Sequence, residues 1–312
     1  MMNQELTLGI LSFNQGKFVD QLLGSIAEQT QSDVPLLIID NASTDGSAEI
    51  IRSSLKKYVL TERTTFIQNE VNTGSAAGLS QLLTNSKTPF LSVIHGDDML
   101  DRDYVESVLE MIGMESDFGA INVALKAIPN SSSTRIVKNI YRPLWTRSSL
   151  FNKLLVCGLN PGVMPGSVLN RNFIISHNLL NFERTINGVE DTLLWMRIIR
   201  AGGTILSLHR SCYFYRIHQN QFSYEDDRNS FYYGYARRLV IDESQNMFEK
   251  ILSRAEISYE LKRFGKFSAY SQGLGSEEVS KSRTYMSFRF FNILIRRLAL
   301  LKLKSVTNIS SL

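Results

Sequence analysis

The first hundred residues are built as four short strand-like runs, each closing on a polar or acidic cluster and separated by helix-like stretches. This pattern constrains the fold more than any other feature of the chain. The runs are Leu6 to Phe13, Val34 to Ile39, Thr65 to Gln68 and Pro89 to Ile94. Between them, Lys17 to Glu28 carries Phe18, Leu22, Leu23 and Ile26 at helical spacing, and Ala48 to Leu55 and Gly78 to Asn85 also predict helices. Strands alternating with helices predict an α/β fold with a mostly parallel sheet covered on both faces. In such sheets the ligand site lies beyond the carboxyl ends of the strands. The polar clusters sit at those ends: Ser12-Phe13-Asn14, Asp40-Asn41, Asn72-Thr73-Gly74 and Asp97-Asp98.

The later chain is less regular. Asn139 to Asn170 holds Trp145, Arg142, Arg147 and the turn-rich Asn160-Pro-Gly-Val-Met-Pro-Gly-Ser. A helix is predicted near Gly188 to Ala201, then a strand from Thr204 to Ser207 and an aromatic strand from Cys212 to Ile217. Beyond about Tyr224 the pattern is mainly helical. The polar stretch Gln219 to Asn229 is the one soft boundary, which predicts a domain over 1–223 and a helical region over 224–312. With 43% hydrophobic and 21% charged residues the chain has a globular composition. Cys157 and Cys212 form no C-x-x-C pair, which points to a reducing cytosol. Met1 to Glu5 does not predict a signal peptide, and no apolar run reaches the roughly 20 residues a bilayer span needs.

The net charge of +4 is unevenly placed. Seven basic residues and no acid follow Glu278, which leaves the rest of the chain at −3. On a helical projection Phe288, Phe291, Leu294, Ile295 and Leu298 share one face, opposite Arg289, Arg296, Arg297 and Lys304. That pattern fits an interfacial helix drawn to anionic lipid, or a helix packed on the preceding domain with its basic side in water. It does not point to nucleic acid, since neither zinc-finger spacing nor an RNA-binding aromatic motif is present.

Four clusters can carry chemistry. In His95-Gly96-Asp97-Asp98 the paired acids at a strand end suit a hard divalent cation. The alternative is that Asp98 or Asp101 caps a helix starting near Arg102. Asp40, at the end of the second strand, can accept the N3–H of a uracil or thymine ring, whereas Ser43 to Ser47 read as a turn and helix start. Asp191 falls in the first turn of a helix, where it serves either as a general base or as an acid favoured by the helix dipole. In Tyr213-Phe214-Tyr215-Arg216-Ile217-His218 the aromatics read as sheet packing, and a lone histidine is usually structural.

Taken in order, these pieces resemble the family 2 glycosyltransferases of the GT-A fold. The resemblance runs from about Leu6 to Ser223. It rests on LSFN (Leu11 to Asn14), IIDNASTDGS (Ile38 to Ser47), NEVNTGSAAGLSQLL (Asn69 to Leu83), HGDD (His95 to Asp98), PGSVLNR (Pro165 to Arg171), VEDTLLWMRIIRAGG (Val189 to Gly203) and YRIHQNQFS (Tyr215 to Ser223). It implies a GT-A nucleotide-sugar-binding fold with a helical C-terminal extension. Ser12, Phe13 and Asp40 would line the nucleoside pocket, and Asn72 and Gly74 the loop beside the nucleotide. Asp97 and Asp98 would share the ribose and the metal between them, with His218 near the diphosphate or metal. Asp191 would be the catalytic base of a single inverting displacement. The cofactor implied is Mn²⁺ or Mg²⁺, the donor a nucleotide-sugar (a UDP-sugar is expected), and the acceptor a glycan or lipid-linked glycan of surface polysaccharide assembly. The expected location is cytoplasmic, with the tail at the inner face of the membrane as one outcome.

The chain departs from the family pattern once: His95 stands where many members carry Asp. No Gln-x-x-Arg-Trp motif follows Asp191, which favours single-sugar addition over processive synthesis. The enzyme alternative is a nucleotidyltransferase, disfavoured because Leu8 to Asn14 lacks a Gly-rich basic loop. The non-enzyme alternative is an inactive nucleotide-sugar-binding scaffold, against which Asp97, Asp98 and Asp191 all stand.

Overall fold

The computed structural model describes residues 5–115, 117–129, 138–141, 162–182, 188, 190–218 and 221, together with short stretches at 234–235, 237–239, 241–243, 247, 250–251, 253–255, 272 and 276–283. They fall into two compact units. The first comprises Met1–Pro143, Val163–Phe182 and Gly203–His218; the second Leu144–Gly162, Glu183–Gly202 and Gln219–Leu312.

The first unit is a nine-stranded sheet. Its strands are β1 (Leu6–Ser12), β2 (Leu36–Asp40), β3 (Thr64–Gln68), β4 (Phe90–His95), β5 (Met99–Leu100), β6 (Ala120–Pro129), β7 (Lys138–Tyr141), β8 (Val168–Asn170) and β9 (Ile205–Ile217). They lie in the order β3-β2-β1-β4-β8-β6-β9-β5, with β7 beside β6. β3, β2, β1 and β4 are mutually parallel, joined by α1 (Gly16–Ala27), α2 (Ser47–Lys57) and α3 (Ser75–Asn85). This is the α/β alternation the sequence predicts. Each predicted strand and helix of the first hundred residues is present, with ends within about three residues.

Burial explains the sequence pattern. β1 and β2 are central and apolar on both faces, so they read as unbroken hydrophobic runs. Leu6, Leu8, Ile10, Leu36 and Ile38 pack in one core with Val19, Leu22, Leu23 and Ile26 of α1 and Ile51 and Leu55 of α2. β3 is the edge strand and is half exposed. The second half of the sheet is mixed: β8 runs antiparallel to β4 and β6, while β9 is parallel to β6 and antiparallel to β5.

The two segments predicted at Thr204 to Ser207 and Cys212 to Ile217 are one strand, β9. Its pairing with β6 shifts register between Val123↔Leu208 and Leu125↔Tyr213, so residues 209–212 bulge out. The polar His209-Arg210-Ser211 breaks the alternation there, which is why the sequence reads as two strands. The helix expected after HGDD, near Arg102, is α4 (Tyr104–Met114); Asp103 precedes it and makes no side-chain capping bond.

In the second unit the helix Glu190–Arg200 buries Leu193, Leu194, Trp195, Met196 and Ile198. Arg197 pairs with the Glu243 carboxylate through Nε at 3.1 and 3.2 Å, and Arg254 pairs with Glu278 at 3.2 Å. The basic segment 288–304 lies outside the described residues, as do Arg142, Trp145 and Arg147.

Candidate functional site

The loops after β1 and β2 are fastened to each other. Asn14 N–H donates to Ser43 Oγ (2.9 Å), Gln15 N–H to Ser47 Oγ (2.9 Å) and Gly16 N–H to Asp45 Oδ2 (3.0 Å). Asn14 Oδ1 in return accepts Thr44 N–H at 2.8 Å. Asp45 thus caps the start of α1. Burial opposes its charge, but the Ser47 hydroxyl and the Gly16 N–H outweigh it and hold the carboxyl below its usual range. Asn14 (φ 52°) and Ala42 (φ 64°) both adopt left-handed backbone, uncommon for residues with a side chain.

This brace presents the sequence-predicted nucleoside residues. Ser12 and Asp40 are register partners at the ends of β1 and β2, and both are fully buried. Phe13 is 43% exposed, which is unusual for a phenylalanine. Both Asp40 oxygens are engaged by Ser43, through the hydroxyl at 2.5 Å and the N–H at 3.1 Å. Ser12 Oγ and Gln15 Oε1 are buried and have no hydrogen-bond partner among the described residues.

Asn72 and Gly74 sit on a loop held by Asn41, a buried residue that sequence reasoning had left without a role. Asn41 Nδ2 donates to Asn72 Oδ1 (2.9 Å) and Gly74 O (3.3 Å). Its Oδ1 accepts from Asn69 Nδ2 (3.0 Å), Thr73 N (3.1 Å) and Thr73 Oγ1 (3.1 Å). Gly74 then opens α3.

β4 ends in the HGDD turn. A Cβ on Gly96 would meet Gln15 Oε1 and lie 3.1 Å from Ser12 Oγ, so a larger residue would have to move the Gln15 side chain and press on the end of β1. Asp97 Oδ2 meets His218 Nε2 at 2.9 Å, joining two residues that are 121 apart in the chain. Asp98 turns inward. It is fully buried, with Oδ1 accepting Arg216 N–H at 2.8 Å and Oδ2 accepting Tyr213 O–H at 2.7 Å. Burial, reinforced by the Asp97 charge, pushes the Asp98 carboxyl well above its usual range against the pull of Arg216 and Tyr213. Burial likewise pushes His95 down, opposed by Asp97.

These contacts correct one expectation. Asp98 does not cap α4; its carboxylate ties the turn to β9.

Tyr213, read from the sequence as sheet packing, and Arg216, which that reading left without a role, are the framework of the site. Tyr213 Oη also accepts His95 N–H at 3.2 Å. Its ring fills the space beside Gly166 of the PGSVLNR loop, where φ is 74° and a Cβ would lie 2.6 Å from Cδ2. Arg216 Nε donates to Asp97 O (2.7 Å) and its other nitrogens to Pro129 O (3.2 Å) and Gln21 Oε1 (2.9 Å). Its guanidinium lies 4.9 Å from the centre of the Phe18 ring, and Phe18 packs on His218 with ring centroids 4.9 Å apart. A charged residue inside an aromatic strand was the available signal, because buried arginines are almost always paired.

The donor set fits a divalent cation. His95, Asp97 and Asp98 each offer a ligand atom, all within 4.8 Å of one another. His218 adds a nitrogen beside Asp97. Asp191 belongs to the second unit, in the first turn of Glu190–Arg200, where its Oδ1 accepts Thr192 N–H at 2.6 Å.

Known proteins resemble this chain in sequence and fold. The model of the family described as glycosyl transferase family 2 matches residues 7–169. An uncharacterised glycosyltransferase of Haemophilus influenzae is 22% identical over 82% of this chain and 74% of its own length. The Bacillus subtilis protein TuaG, named as a teichuronic acid biosynthesis glycosyltransferase, is 22% identical over 68% of this chain and 79% of its own. Among solved structures, Staphylococcus aureus TarS 1-349 in complex with UDP-GlcNAc has a TM-score of 0.63 at 14% identity, over 90% of this chain and 79% of that one. The mannosyltransferase PcManGT of Pyrobaculum calidifontis, in complex with GDP-Man and Mn²⁺, has a TM-score of 0.57 at 13% identity, over 96% and 89%. At these identities the structures show the shared fold.

Proposed function

This chain belongs to glycosyl transferase family 2, and from that premise we propose that it moves one sugar from a UDP-sugar to an acceptor hydroxyl, with inversion at the anomeric carbon. The acceptor we assign is a lipid-linked glycan in the assembly of a bacterial surface polysaccharide. The TuaG relative and the TarS complex with UDP-GlcNAc support that context. The observation that carries the reading is the Asp97–His218 pair at the carboxyl end of β4. Beside it lie the buried, unpartnered Ser12 Oγ and the exposed Phe13 ring.

In this reading Phe13 packs on the base, while Ser12 and Asp40 bond the nucleoside. Each Asp40 oxygen keeps a second lone pair for that purpose. The Asn72–Gly74 loop, braced by Asn41, borders the nucleotide. Asp97 and His218 hold Mn²⁺ or Mg²⁺, with Asp98 alongside; when bound, the cation neutralises charge on the departing diphosphate. Asp191 takes the proton of the acceptor hydroxyl as its oxygen attacks the anomeric carbon and the bond to the diphosphate breaks. The family match sets aside the nucleotidyltransferase alternative.

The test is a panel of UDP- and GDP-sugars incubated with the full chain and Mn²⁺ or Mg²⁺, with calorimetric donor binding measured alongside. Binding and nucleoside diphosphate release from a UDP-sugar are expected. Preference for a GDP-sugar, the donor in the PcManGT complex, would overturn the choice of base. Binding without release in the presence of glycan acceptors would favour the inactive scaffold.

A further inference from the structure

Phe18 reads in the sequence as one more apolar residue of α1, yet its ring meets two residues of the site at once. The Arg216 guanidinium carbon lies 4.9 Å from the ring centre. The His218 imidazole packs on the same ring, with centroids 4.9 Å apart and planes inclined by 33°. Residues 216 and 218 are two apart along extended chain and so present to one side. Phe18 and Gln21 are three apart on α1 and share a face. That face meets this side of β9, for Gln21 Oε1 accepts from Arg216 Nη2 at 2.9 Å. The two neighbours depend on the ring unequally. Arg216 is held without it, through Asp97 O, Pro129 O, Gln21 and the Asp98 carboxylate. His218 lies just past the end of β9 and meets the acid turn through Nε2, at 2.9 Å from Asp97 Oδ2. A hydrogen bond at one ring nitrogen fixes that atom but leaves the plane free to turn about the bond. Packing against the Phe18 ring fixes the plane.

We propose that Phe18 is a positioning residue for the diphosphate end of the nucleotide site: its ring sets the plane of the His218 imidazole and ties it to the loops that present the nucleoside residues. The proposal rests on reading Asp97 and His218 as the diphosphate end of a glycosyltransferase site. The tie runs through the start of α1. Gln15 N–H and Gly16 N–H are fastened to Ser47 and Asp45 of the loop after β2, two and three residues before Phe18. The helix itself does not need the ring to stay in place, since Val19, Leu22, Leu23 and Ile26 bury its other face in the core. Loss of the ring therefore acts on His218 and not on the nucleoside residues. UMP lacks the second phosphate, so its binding is blind to a displaced His218. UDP binding is not. A side chain that served only to pack α1 would weaken both nucleotides alike.

The experiment uses the full chain with Mn²⁺ held constant and measures UDP and UMP binding by calorimetry for wild type, Phe18→Leu and Phe18→Tyr. Imidazole NMR signals are recorded beside it. The chain has four histidines, and His218→Gln identifies the signal of interest. Phe18→Leu keeps apolar bulk without a flat face. It should lower UDP affinity about 3–10-fold, the worth of an aromatic pair, while UMP affinity is little changed. The His218 signal should broaden or divide in the same variant. Phe18→Tyr keeps the face and should restore both. Phe18→Met, whose unbranched chain adapts to irregular space, repeats the loss should the leucine variant fail to fold. Equal weakening of UDP and UMP would overturn the proposal, as would unchanged UDP affinity or a His218 signal that stays single and sharp without the ring. A wild type that binds UDP no better than UMP would overturn both this proposal and the diphosphate assignment on which it stands. The expected pattern in a protein that transfers no sugar would uphold the role of Phe18 and sink the transferase reading.

Discussion

Asp98→Ala should destabilise the protein by about 2–4 kcal/mol, well beyond any effect on metal binding. The substitution leaves two buried donors, Tyr213 O–H and Arg216 N–H, without their acceptor. Each such loss costs about 1–3 kcal/mol. Part of that returns because the wild-type carboxyl is itself buried beside Asp97, which raises its pKa. Asp97→Ala removes one buried bond, to His218, where Asp98→Ala removes two, and it relieves that repulsion, so it should cost less, about 1–2 kcal/mol. Urea unfolding at pH 7 followed by circular dichroism separates the two. The pH dependence offers a second reading. A carboxyl whose pKa is raised on folding binds its proton more tightly in the folded state, so its contribution is fullest below the unfolded pKa and is lost as pH rises toward the folded one. Asp98→Asn should remove that decline. An Asp98→Ala variant within about 1 kcal/mol of wild type, or one no worse than Asp97→Ala, would refute the claim that Asp98 fastens the turn to β9.

Further perturbations test other parts of the site. Asp191→Asn should lower turnover by about 10²–10⁴-fold with donor affinity little changed, measured by steady-state kinetics beside calorimetry. Glu190→Gln, about 100° around the helix, should do less. Asn41→Ala should weaken UDP binding with little change in metal affinity, because its five bonds hold Asn69 and the Asn72–Gly74 loop rather than the acid turn. Gly166→Ala should destabilise by more than about 1 kcal/mol, since φ is positive and the new methyl meets the Tyr213 ring; chemical denaturation reads it. Truncation near Glu278 should abolish flotation with anionic vesicles, and retained flotation would assign the basic segment to packing on the protein.

The strands and helices before His95 were legible because each is determined locally, by apolar runs with both faces covered or by helical periodicity, and the site clusters by their position at strand ends. What escaped was made by distant pairing. Tyr213 and Arg216 look like ordinary strand residues until β9 lies beside the HGDD turn, more than a hundred residues earlier in the chain. Asn41 shows nothing in sequence to separate it from its neighbours in a turn, and its role appears only when Asn69 to Gly74 folds over it. The capping role considered for Asp98 failed for the same reason: capping is a local bond, and the carboxylate found stronger partners far away.

The register shift in β9 divides the strand into two stretches whose spacing is held independently. Pairing is fixed separately on each side, at Val123↔Leu208 and at Leu125↔Tyr213, and the exposed His209 and Arg210 lie in the slack between. A residue gained or lost there leaves both pairings in register but displaces Arg210, which pairs with Asp103, and Cys212, whose carbonyl accepts Asp101 N–H at 2.9 Å. One gained between Tyr213 and His218 would turn Arg216 or His218 to the opposite face of the sheet, because side chains alternate along a strand. The strand thus contains an interruption in its pairing followed by a six-residue stretch, Tyr213 to His218, in which spacing is fixed and on which the orientation of the site depends.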